Sequence, residues 1–378
     1  MAEIHGLCKP EFDHVRRIFQ ERIAQGEELG ASLCVDIKGE TVIDLWGGHA
    51  DPAKTRPWEE DTLTVVWSCS KVVCALAAAI LIDRGVLDPD EKVSKYWPEF
   101  AANGKENITV GHVLSHTSGL PSWEPPITFQ EICDTPKSTE KLAQQAPWWT
   151  PGQSSGYQLV THGHLIGELV RRTTGKSLKQ FITEEIAEPL GADFRLGLEQ
   201  KDWSRTADIT PPPPMALDRL SPESVARRAF IGAVIEAEES MSLEFRNAEI
   251  GASNGFGNAR SLCRIGSVIS LGGTRDGKTY LSQETIEQMI QERINGQDLV
   301  LGKSLRFGLG VGLPAPETIS GIPQGRVCFW GGWGGSTIIM DLDRQMTIGY
   351  AMNKMASGTL GNANTGAYVE EIYRALDR

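Results

Sequence analysis

The sequence predicts an α+β fold in which one antiparallel sheet, built from both ends of the chain and flanked by helices, carries an inserted, mainly helical domain. Two observations lead to this prediction. Segments with strand character lie near both termini, at residues 31–37, 41–46, 327–330, 336–341 and 346–352. The long section between them is mostly helical in character, and 378 residues suffice for about two domains.

At the amino-terminal end, apolar residues at helical spacing predict an amphipathic helix over residues 11–25. The first two strand segments follow it, and the short turn Lys38-Gly39-Glu40 between them predicts a β-hairpin. At the other end, residues 341–345 supply the turn between the last two strands, and a helix over residues 363–375 closes the chain.

Four helical segments are predicted in the middle of the chain, at residues 69–84, 110–114, 162–173 and 178–186. The prolines of residues 211–214 predict a rigid loop, because proline has no N–H group for a helix. We therefore expect a sheet domain of residues 1–67 and 250–378, a mainly helical domain of residues 68–249, and an active site in the cleft between them.

Composition and charge narrow the range of partners and compartments. The chain has 37 Lys and Arg against 49 Asp and Glu, so it lacks the basic excess that binds nucleic acid or an anionic membrane. Its seven cysteines are scattered without a C-x-x-C pair, which is typical of reduced thiols. No apolar signal segment is evident, and the longest apolar run, residues 72–82, is too short to cross a bilayer. We expect a cytoplasmic protein, and the oligomeric state stays open.

The segment Trp67-Ser68-Cys69-Ser70-Lys71 contains a Ser-x-x-Lys pair. Residues three apart share a helix face, so Lys71 can reach the Ser68 hydroxyl, and a lysine removed from water loses its proton more easily. A second pair, Ser138 and Lys141, lies in a polar run, whereas Ser68 lies between two apolar stretches. Taken alone, such a pair is more often a helix N-cap and a surface lysine.

Further motifs stand in order along the chain. They are Asp44-Leu45-Trp46-Gly47-Gly48, Arg84-Gly85-Val86-Leu87-Asp88, His112-Val113-Leu114-Ser115-His116-Thr117-Ser118-Gly119-Leu120, Pro151-Gly152 before Tyr157, and Trp330-Gly331-Gly332-Trp333-Gly334-Gly335-Ser336. With Ser68 and Lys71 among them, most of the chain resembles the serine β-lactamase and penicillin-binding superfamily, closest to class C β-lactamases and family VIII carboxylesterases. The resemblance implies a β-lactamase-like fold.

The resemblance also implies a role for each matching residue. Ser68 is the nucleophile that accepts the acyl group, and Lys71 and Tyr157 manage its proton. Trp330-Gly331-Gly332 takes the place of the family's Lys-Thr-Gly strand, where glycines let the backbone approach a substrate. The N–H groups of Ser68 and Trp333 form the oxyanion hole. We expect the ammonium of Lys71 to favour ionisation of Tyr157, because opposite charge stabilises a phenolate.

Two departures from the family pattern narrow the class of substrate that we expect. Tyr157-Gln158-Leu159 lacks the asparagine that contacts the antibiotic's side-chain amide, and Trp330 replaces the lysine that would meet its carboxylate. Both changes fit family VIII esterases, so we expect hydrolysis of small-molecule carboxylic esters without a cofactor, and weak or no β-lactamase activity. One alternative is an acyltransferase or transesterase of secondary metabolism that uses the same site. Another is a non-catalytic binding or sensor protein.

Two other patterns compete for a function. Gly251-Ala252-Ser253-Asn254-Gly255 matches the G-x-S-x-G nucleophile elbow, but that fold needs a later histidine, and all seven histidines precede Ser253. His112 and His116 have the spacing of a zinc pair on a helix, but a Gly and a Pro soon follow, and we expect no metal. His116 is interpreted instead as part of a signature that braces the Ser68 helix.

Overall fold

The structure is a computed structural model, and it describes residues 3–232 and 235–377. Within these residues the strands are β1 Ile4–Cys8, β2 Gly30–Ile37, β3 Glu40–Gly48, β4 Thr64–Val65, β5 Arg195–Leu196, β6 Gly255–Gly257, β7 Thr274–Arg275, β8 Lys278–Thr279, β9 Ile294–Gln297, β10 Ser304–Phe307, β11 Gly312–Leu313, β12 Val327–Gly331, β13 Thr337–Asp341 and β14 Met346–Met352.

The helices of the same residues are α1 Asp13–Ala24, α2 Ser70–Asp83, α3 Val93–Tyr96, α4 Val110–Leu114, α5 Phe129–Cys133, α6 Thr135–Gln144, α7 Thr161–Thr174, α8 Leu178–Ile182, α9 Glu188–Leu190, α10 Val225–Gly232, α11 Leu243–Asn247, α12 Ala259–Ser270, α13 Gln283–Ile290 and α14 Ala363–Leu376. Short 3-10 segments lie at Pro10–Phe12, Trp67–Cys69, Pro98–Gly104, Gln200–Arg205, Leu217–Arg219 and Ala237–Met241, and a π-helical turn lies at Thr183–Ala187.

Nine strands of the described chain form one antiparallel sheet in the spatial order β1-β3-β2-β14-β13-β12-β11-β10-β9. β2 and β3 are the predicted hairpin. The two ends of the chain meet in this sheet because β14 pairs with β2 along its whole length, from Met346 opposite Ile37 to Met352 opposite Ala31. The predicted sheet built from both termini is therefore confirmed.

Helices cover both faces of the sheet. Successive side chains of a strand point to opposite faces, so Gly349 and Tyr350 of β14 meet different helices. At Gly349, a Cβ would lie 2.4 Å from the carbonyl oxygen of Ala259, so glycine allows α12 to lie directly on the strand. On the other face, the ring of Tyr350 lies 5.4 Å from the ring of Tyr368 in α14, and α1 packs beside α14.

Helix α2 lies at the centre of the molecule. Its residues from 70 to 81 are all buried, as expected of a helix that is apolar on every side. It packs on α7 and α8 of the helical section and on β12 and α13 of the sheet section. The residues at its start therefore lie where both sections can contribute to a site. The division into residues 1–67 with 250–378 and residues 68–249 stays a prediction, and residues 1–2, 233–234 and 378 of these ranges lie outside the described part.

The structure adds elements that were not predicted, among them β1, α12 and α13, and two further differences have an identifiable physical cause. The predicted helix over residues 178–186 is confirmed as helical, but it is not α-helical throughout, since a π-helical turn at Thr183–Ala187 lies between α8 and α9. Pro189 in α9 has no N–H to donate to the preceding turn, and this disturbs the helical ladder. Strands β9 to β11 extend the sheet beyond β12 and were not predicted, because segments of two to four residues carry too little alternation to recognise.

A buried carboxyl group joins the first helix, the sheet and the last helix. Glu28, between α1 and β2, is 2% exposed, and its Oε1 accepts hydrogen bonds from the hydroxyl groups of Tyr350 at 2.5 Å and Tyr368 at 3.2 Å. Burial raises the pKa of Glu28 from 4.5 to about 7, because the charged form loses its contact with water. Folding therefore favours the protonated form of Glu28.

We expect the free energy of unfolding to decrease as the pH rises from 4.5 to about 7, and to stay level above that value, because a raised carboxyl pKa penalises the charged folded state. Glu28→Gln removes this penalty and stabilises the protein at pH 8 by up to about 3 kcal/mol. Urea unfolding at pH 5 and pH 8 measures both effects. Glu27→Gln at the neighbouring exposed residue is the control, and equal pH dependence in the wild type and Glu28→Gln would contradict the assignment.

Candidate active site

Ser68 lies in the 3-10 turn Trp67–Cys69, which leads from β4 into α2. This agrees with its predicted position at the start of a helix, and its side chain is 7% exposed. The N–H of Cys69 donates to the carbonyl of Val66 at 3.1 Å and begins the hydrogen bonds of the turn. The N–H of Ser68 comes one position earlier, before the bonded part of the turn, where a helix start leaves donors for other partners.

The residue before Ser68 has an unusual backbone. Trp67 has a φ of +47°, in the left-handed region that side chains other than glycine rarely adopt. Ser70 holds this turn, because its hydroxyl donates to the Trp67 carbonyl at 2.5 Å and accepts the N–H of Gly255 at 2.9 Å. The indole of Trp67 lies 5.7 Å from the ring of Phe245 and 5.2 Å from that of Trp333. Packing and hydrogen bonds thus fix the strained turn that presents Ser68.

Lys71 lies one helical turn beyond Ser68 and is fully buried. Its Nζ is 3.1 Å from Ser68 Oγ, 2.7 Å from the carbonyl oxygen of Leu159 and 3.2 Å from that of Ala252. Burial lowers the pKa of Lys71 from 10.5 to about 7, because the ammonium loses its hydration. A large fraction of Lys71 is therefore a neutral amine at neutral pH.

Tyr157 lies beside Lys71, with its ring centroid 4.6 Å from Lys71 Nζ. Its hydroxyl oxygen accepts a hydrogen bond from Trp330 Nε1 at 3.0 Å. Burial raises the pKa of Tyr157 above its usual range, while the Ser68 hydroxyl and the Trp330 indole act in the opposite direction as hydrogen-bond partners. The expectation that Lys71 makes Tyr157 easy to ionise is therefore wrong, because the loss of water has the larger effect.

Two buried histidines lie beside Tyr157. The ring of His116 is 4.9 Å from that of Tyr157 and 4.7 Å from that of His162, and His116 Nδ1 accepts the N–H of Gln158 at 3.1 Å. Burial and the charge of Lys71 lower the pKa of His162 to about 3, and burial also holds the pKa of His116 well below its usual range. The contacts of His116 brace the segment of Tyr157, and the bracing of the Ser68 helix by the same signature stays a prediction.

Trp330 and Gly331 end β12 beside the Ser68 turn, and Gly332 follows them. A Cβ on Gly331 would lie 2.4 Å from the carbonyl oxygen of Thr359, and one on Gly332 would lie 2.3 Å from that of Val66. Both glycines are therefore needed for close contact with the protein's own backbone, which differs from the predicted reason, an approach to a substrate.

Trp333 is the next residue, and its side chain is half-buried. Its N–H donates to no acceptor among residues 3–232 and 235–377. The neighbouring N–H groups of Gly332 and Gly334 are both paired, with the carbonyls of Ser336 at 2.7 Å and Gly358 at 3.0 Å. A free donor at this position can bind the oxygen of a reacting carbonyl group.

The residues after Tyr157 offer no polar side chain to a substrate. Gln158 is fully buried, and its amide accepts a hydrogen bond from Ser118 Oγ and donates one to the carbonyl of Val113, each at 2.7 Å. Leu159 is apolar and takes part through its carbonyl oxygen, which accepts from Lys71. The absence of the asparagine thus leaves this part of the site apolar.

The carbonyl partners of Lys71 were not predicted. Ala252 belongs to the pentapeptide of residues 251–255, whose backbone also accepts a hydrogen bond from Cys74 Sγ at the Gly251 oxygen, 2.9 Å away. Ser253 lies in a turn in which its N–H donates to the carbonyl of Ile250 at 2.8 Å. The pentapeptide therefore contributes to the site through a carbonyl oxygen. No sequence signal marks such a role, since every residue has a carbonyl group.

The second Ser-x-x-Lys pair is separate from this site. Ser138 lies buried within α6, where its hydroxyl donates to the carbonyl of Asp134 at 2.8 Å. Lys141 pairs with Glu131 at 3.1 Å, so serine and lysine each have another partner. Their contacts are those of a structural helix.

The histidine pair of the predicted signature does not share a helix. His112 lies in α4, where its Nδ1 accepts the N–H of Thr109 at 3.2 Å and caps the helix start. The helix ends at Leu114, before His116. In the described part of the chain, no group of three or more His, Cys, Asp or Glu side chains could hold a metal ion. None of the helices described is long and apolar enough to cross a membrane.

Comparisons with known proteins agree with the motifs. The beta-lactamase family profile matches residues 15–370. The esterase/beta-lactamase LipL of Mycobacterium tuberculosis is 32% identical over 371 residues, which cover 94% of this chain and 84% of LipL. A crystal structure of a family VIII carboxylesterase has a TM-score of 0.92 and 35% identity, with 99% of this chain and 100% of that chain covered. A penicillin-binding protein homolog from Caulobacter crescentus has the same TM-score of 0.92 and the same identity and coverage.

These similarities extend along nearly the whole chain, and they include the fold as well as the sequence. The β-lactamase-like fold and the family resemblance that the ordered motifs predicted are therefore confirmed. The protein belongs to the beta-lactamase family.

Proposed function

We propose that the protein is a carboxylesterase that hydrolyses esters through an acyl-enzyme at Ser68. One observation carries the proposal, namely that buried Lys71 holds its Nζ 3.1 Å from Ser68 Oγ. A base at hydrogen-bond distance, with a pKa near neutral pH, is what activates a serine hydroxyl. The family membership supports the same chemistry.

As a neutral amine, Lys71 has two N–H groups and one lone pair. The carbonyls of Leu159 and Ala252 accept the two N–H groups, and the lone pair remains for the Ser68 hydroxyl. Ser68 Oγ then bonds to the ester carbonyl carbon while its proton moves to Lys71 Nζ. The electron pair of the carbonyl bond moves to the carbonyl oxygen, which the N–H groups of Ser68 and Trp333 stabilise.

Tyr157 serves as a phenol in this scheme, because burial keeps it protonated. When the bond to the alcohol breaks, the leaving oxygen takes the phenol proton, and the ammonium of Lys71 returns a proton to Tyr157. The acyl group stays on Ser68. Water then attacks the acyl carbon while its proton moves to Lys71 Nζ. The bond from the acyl carbon to Ser68 Oγ breaks as Lys71 returns that proton to Ser68, and the carboxylic acid is released.

The substrate is proposed to be an ester and not a β-lactam because of the groups around Ser68. Trp330 packs its ring 5.1 Å from that of Tyr157 and 5.3 Å from that of Phe307, where a lysine would place a cation. The amide of Gln158 is bonded within the protein. Anionic antibiotics therefore find neither a cation nor an amide at these positions. The carboxylesterase name of the family VIII structure supports this choice, whereas the name of LipL gives both an esterase and a beta-lactamase.

The test compares initial rates on p-nitrophenyl butyrate, a cephalosporin and a penicillin, together with intact-mass analysis of the protein. We expect rapid ester hydrolysis, slow or no β-lactam opening, and a transient butyryl adduct on the peptide of Ser68. Rapid cephalosporin hydrolysis with negligible ester cleavage would overturn the proposal. Added butanol distinguishes the transferase alternative, since butyl butyrate would then form in place of butyrate.

Trp330→Phe tests the hydrogen bond to Tyr157. The substitution keeps an aromatic ring in the stack but removes the indole N–H that donates to the Tyr157 oxygen at 3.0 Å. We expect kcat to decrease about tenfold, which corresponds to the loss of one buried hydrogen bond. Stopped-flow acylation rates on the same aryl ester measure the change.

Trp148→Phe is the matched control for this variant. The Nε1 of Trp148 is buried and has no hydrogen-bond partner within the described residues, so its removal breaks no bond. We expect kcat of Trp148→Phe to stay within about twofold of the wild type. Equal losses in both variants would show that the indole bond to Tyr157 has no special effect.

A further inference from the structure

A buried carboxylate binds the backbone of the segment that contains Tyr157. Asp298 follows β9 and is 1% exposed. Its Oδ1 accepts three backbone N–H groups, from Tyr157 at 3.1 Å, from Val300 at 3.0 Å and from Leu301 at 2.9 Å. Two of these donors belong to the turn after β9. The third belongs to the proton-transfer residue itself, 141 positions earlier in the chain.

A second hydrogen bond runs in the opposite direction between the same two segments. The N–H of Leu299 donates to the carbonyl of Ser155 at 2.9 Å. The turn between β9 and β10 is thus bonded to residues 155–157 twice, through the side chain of Asp298 and through the N–H of Leu299. Phe307 of β10 lies 5.3 Å from the ring of Trp330, so the same hairpin also contacts the partner of the Tyr157 hydroxyl.

A turn by itself does not require a buried charge. A serine or asparagine caps the N–H groups of a turn at a lower desolvation cost than a carboxylate. The other oxygen of Asp298, Oδ2, is buried and has no hydrogen-bond partner among the described residues, and the same holds for the hydroxyl of Ser155. A charge that is only partly compensated in the protein interior is expensive, so a reason beyond capping is needed.

We propose that Asp298 is a positioning residue, which fixes the backbone of Tyr157 so that the phenol oxygen lies between Ser68 and the Trp330 indole. The inference rests on the proposed function, because it assigns Asp298 an effect through Tyr157. The charge of Asp298 acts in the same direction as burial on Tyr157, raising its pKa and keeping it a proton donor. Asp298 touches neither the substrate nor the reacting atoms.

A double-mutant cycle tests this role on the full-length chain, with p-nitrophenyl butyrate as the substrate. Asp298→Ala removes the acceptor of the Tyr157 N–H, and we expect kcat to decrease about 10- to 30-fold while KM changes less than about twofold. Asp298→Asn keeps an oxygen at the same place and should retain at least about a third of kcat. In a Tyr157→Phe background, the addition of Asp298→Ala should lower kcat further by less than about twofold, because the hydroxyl group that Asp298 positions has been removed.

Several outcomes would overturn the inference. They are equal losses for Asp298→Ala with and without Tyr157→Phe, equal losses for the Asn and Ala variants, or a rise in KM without a change in kcat. If Asp298→Ala does not fold, Asp298→Ser replaces it in the cycle, since its oxygen is one bond closer to the backbone. Asp51→Asn is the control, because Asp51 also accepts backbone N–H groups but only within its own turn, from Thr55 and Arg56.

The cycle also separates this inference from the proposed function. An active Ser68→Ala variant would refute the esterase mechanism, whatever Asp298 does. An inactive Ser68→Ala variant and a slow Tyr157→Phe variant, combined with additive losses at Asp298, would refute the positioning role alone. Full activity in Tyr157→Phe would overturn the positioning role together with the part assigned to Tyr157.

Discussion

Ser68→Ala is expected to reduce kcat/KM on aryl esters by about 10,000-fold or more, because it removes the only atom that bonds to the acyl group in the proposed mechanism. The side chain is small and 7% exposed, so the substitution leaves little cavity and the melting temperature should hardly change. Steady-state rates and intact mass measure the result, and the acyl adduct should disappear together with turnover.

The chain supplies a matched control in its second Ser-x-x-Lys pair. Ser138→Ala changes the same atoms at another buried serine, but the hydroxyl of Ser138 is bonded to the carbonyl of Asp134 and not to a lysine. We expect kcat/KM of Ser138→Ala within about twofold of the wild type. Residual ester cleavage in Ser68→Ala, above that of a mock purification, would place the nucleophile elsewhere.

Lys71→Met should lower kcat about 1,000-fold or more, because it removes the base while a side chain of similar length fills its space. Lys105→Met is the control, since Lys105 is a second buried lysine and its Nζ donates to three carbonyls far from Ser68, among them that of Ala143 at 3.0 Å. Its loss should lower the melting temperature and leave kcat/KM within about threefold. A Lys71→Met variant with wild-type acylation rates would eliminate the amine as the base.

The pH dependence gives an independent measure of the same group. Lys71 accepts a proton only as the neutral amine, so log kcat/KM should increase with a slope of one below about pH 7 and level off above it. The histidines next to Tyr157 do not disturb this limb, because burial lowers the pKa of His162 to about 3 and holds the pKa of His116 well below its usual range. A profile that instead rises toward pH 10 would mean that Lys71 keeps an ordinary pKa.

Much of the fold could be predicted because its signals are local and strong. The hairpin of β2 and β3, the three carboxy-terminal strands and helix α2 each have apolar patterns of sufficient length. Strands β9 to β11 have too few residues for a period to emerge. The π-helical turn after Ile182 precedes one proline, Pro189, inside an otherwise helical pattern, and the sequence does not show how the helix adjusts to that proline.

The site was predicted where chemistry depends on side chains and missed where it depends on the backbone. The spacing of Ser68 and Lys71 brings them together on one helix, and the family motifs indicated Tyr157 and Trp330. The carbonyls of Leu159 and Ala252 have no signature in the sequence. The ionisation of Tyr157 was predicted in the wrong direction because burial depends on the complete tertiary structure, whereas the neighbouring charge is visible from the sequence alone.

The low pKa of Lys71 also has a use outside catalysis. The groups around its Nζ come from three distant parts of the chain, and in an unfolded chain the pKa would return to about 10.5. A fluorophosphonate probe at neutral pH would therefore label Ser68 only in molecules whose tertiary structure is intact. In a sample stressed by heat or urea, the fraction of molecules labelled at Ser68 would therefore equal the fraction that is still native. This measurement needs no spectroscopic baseline.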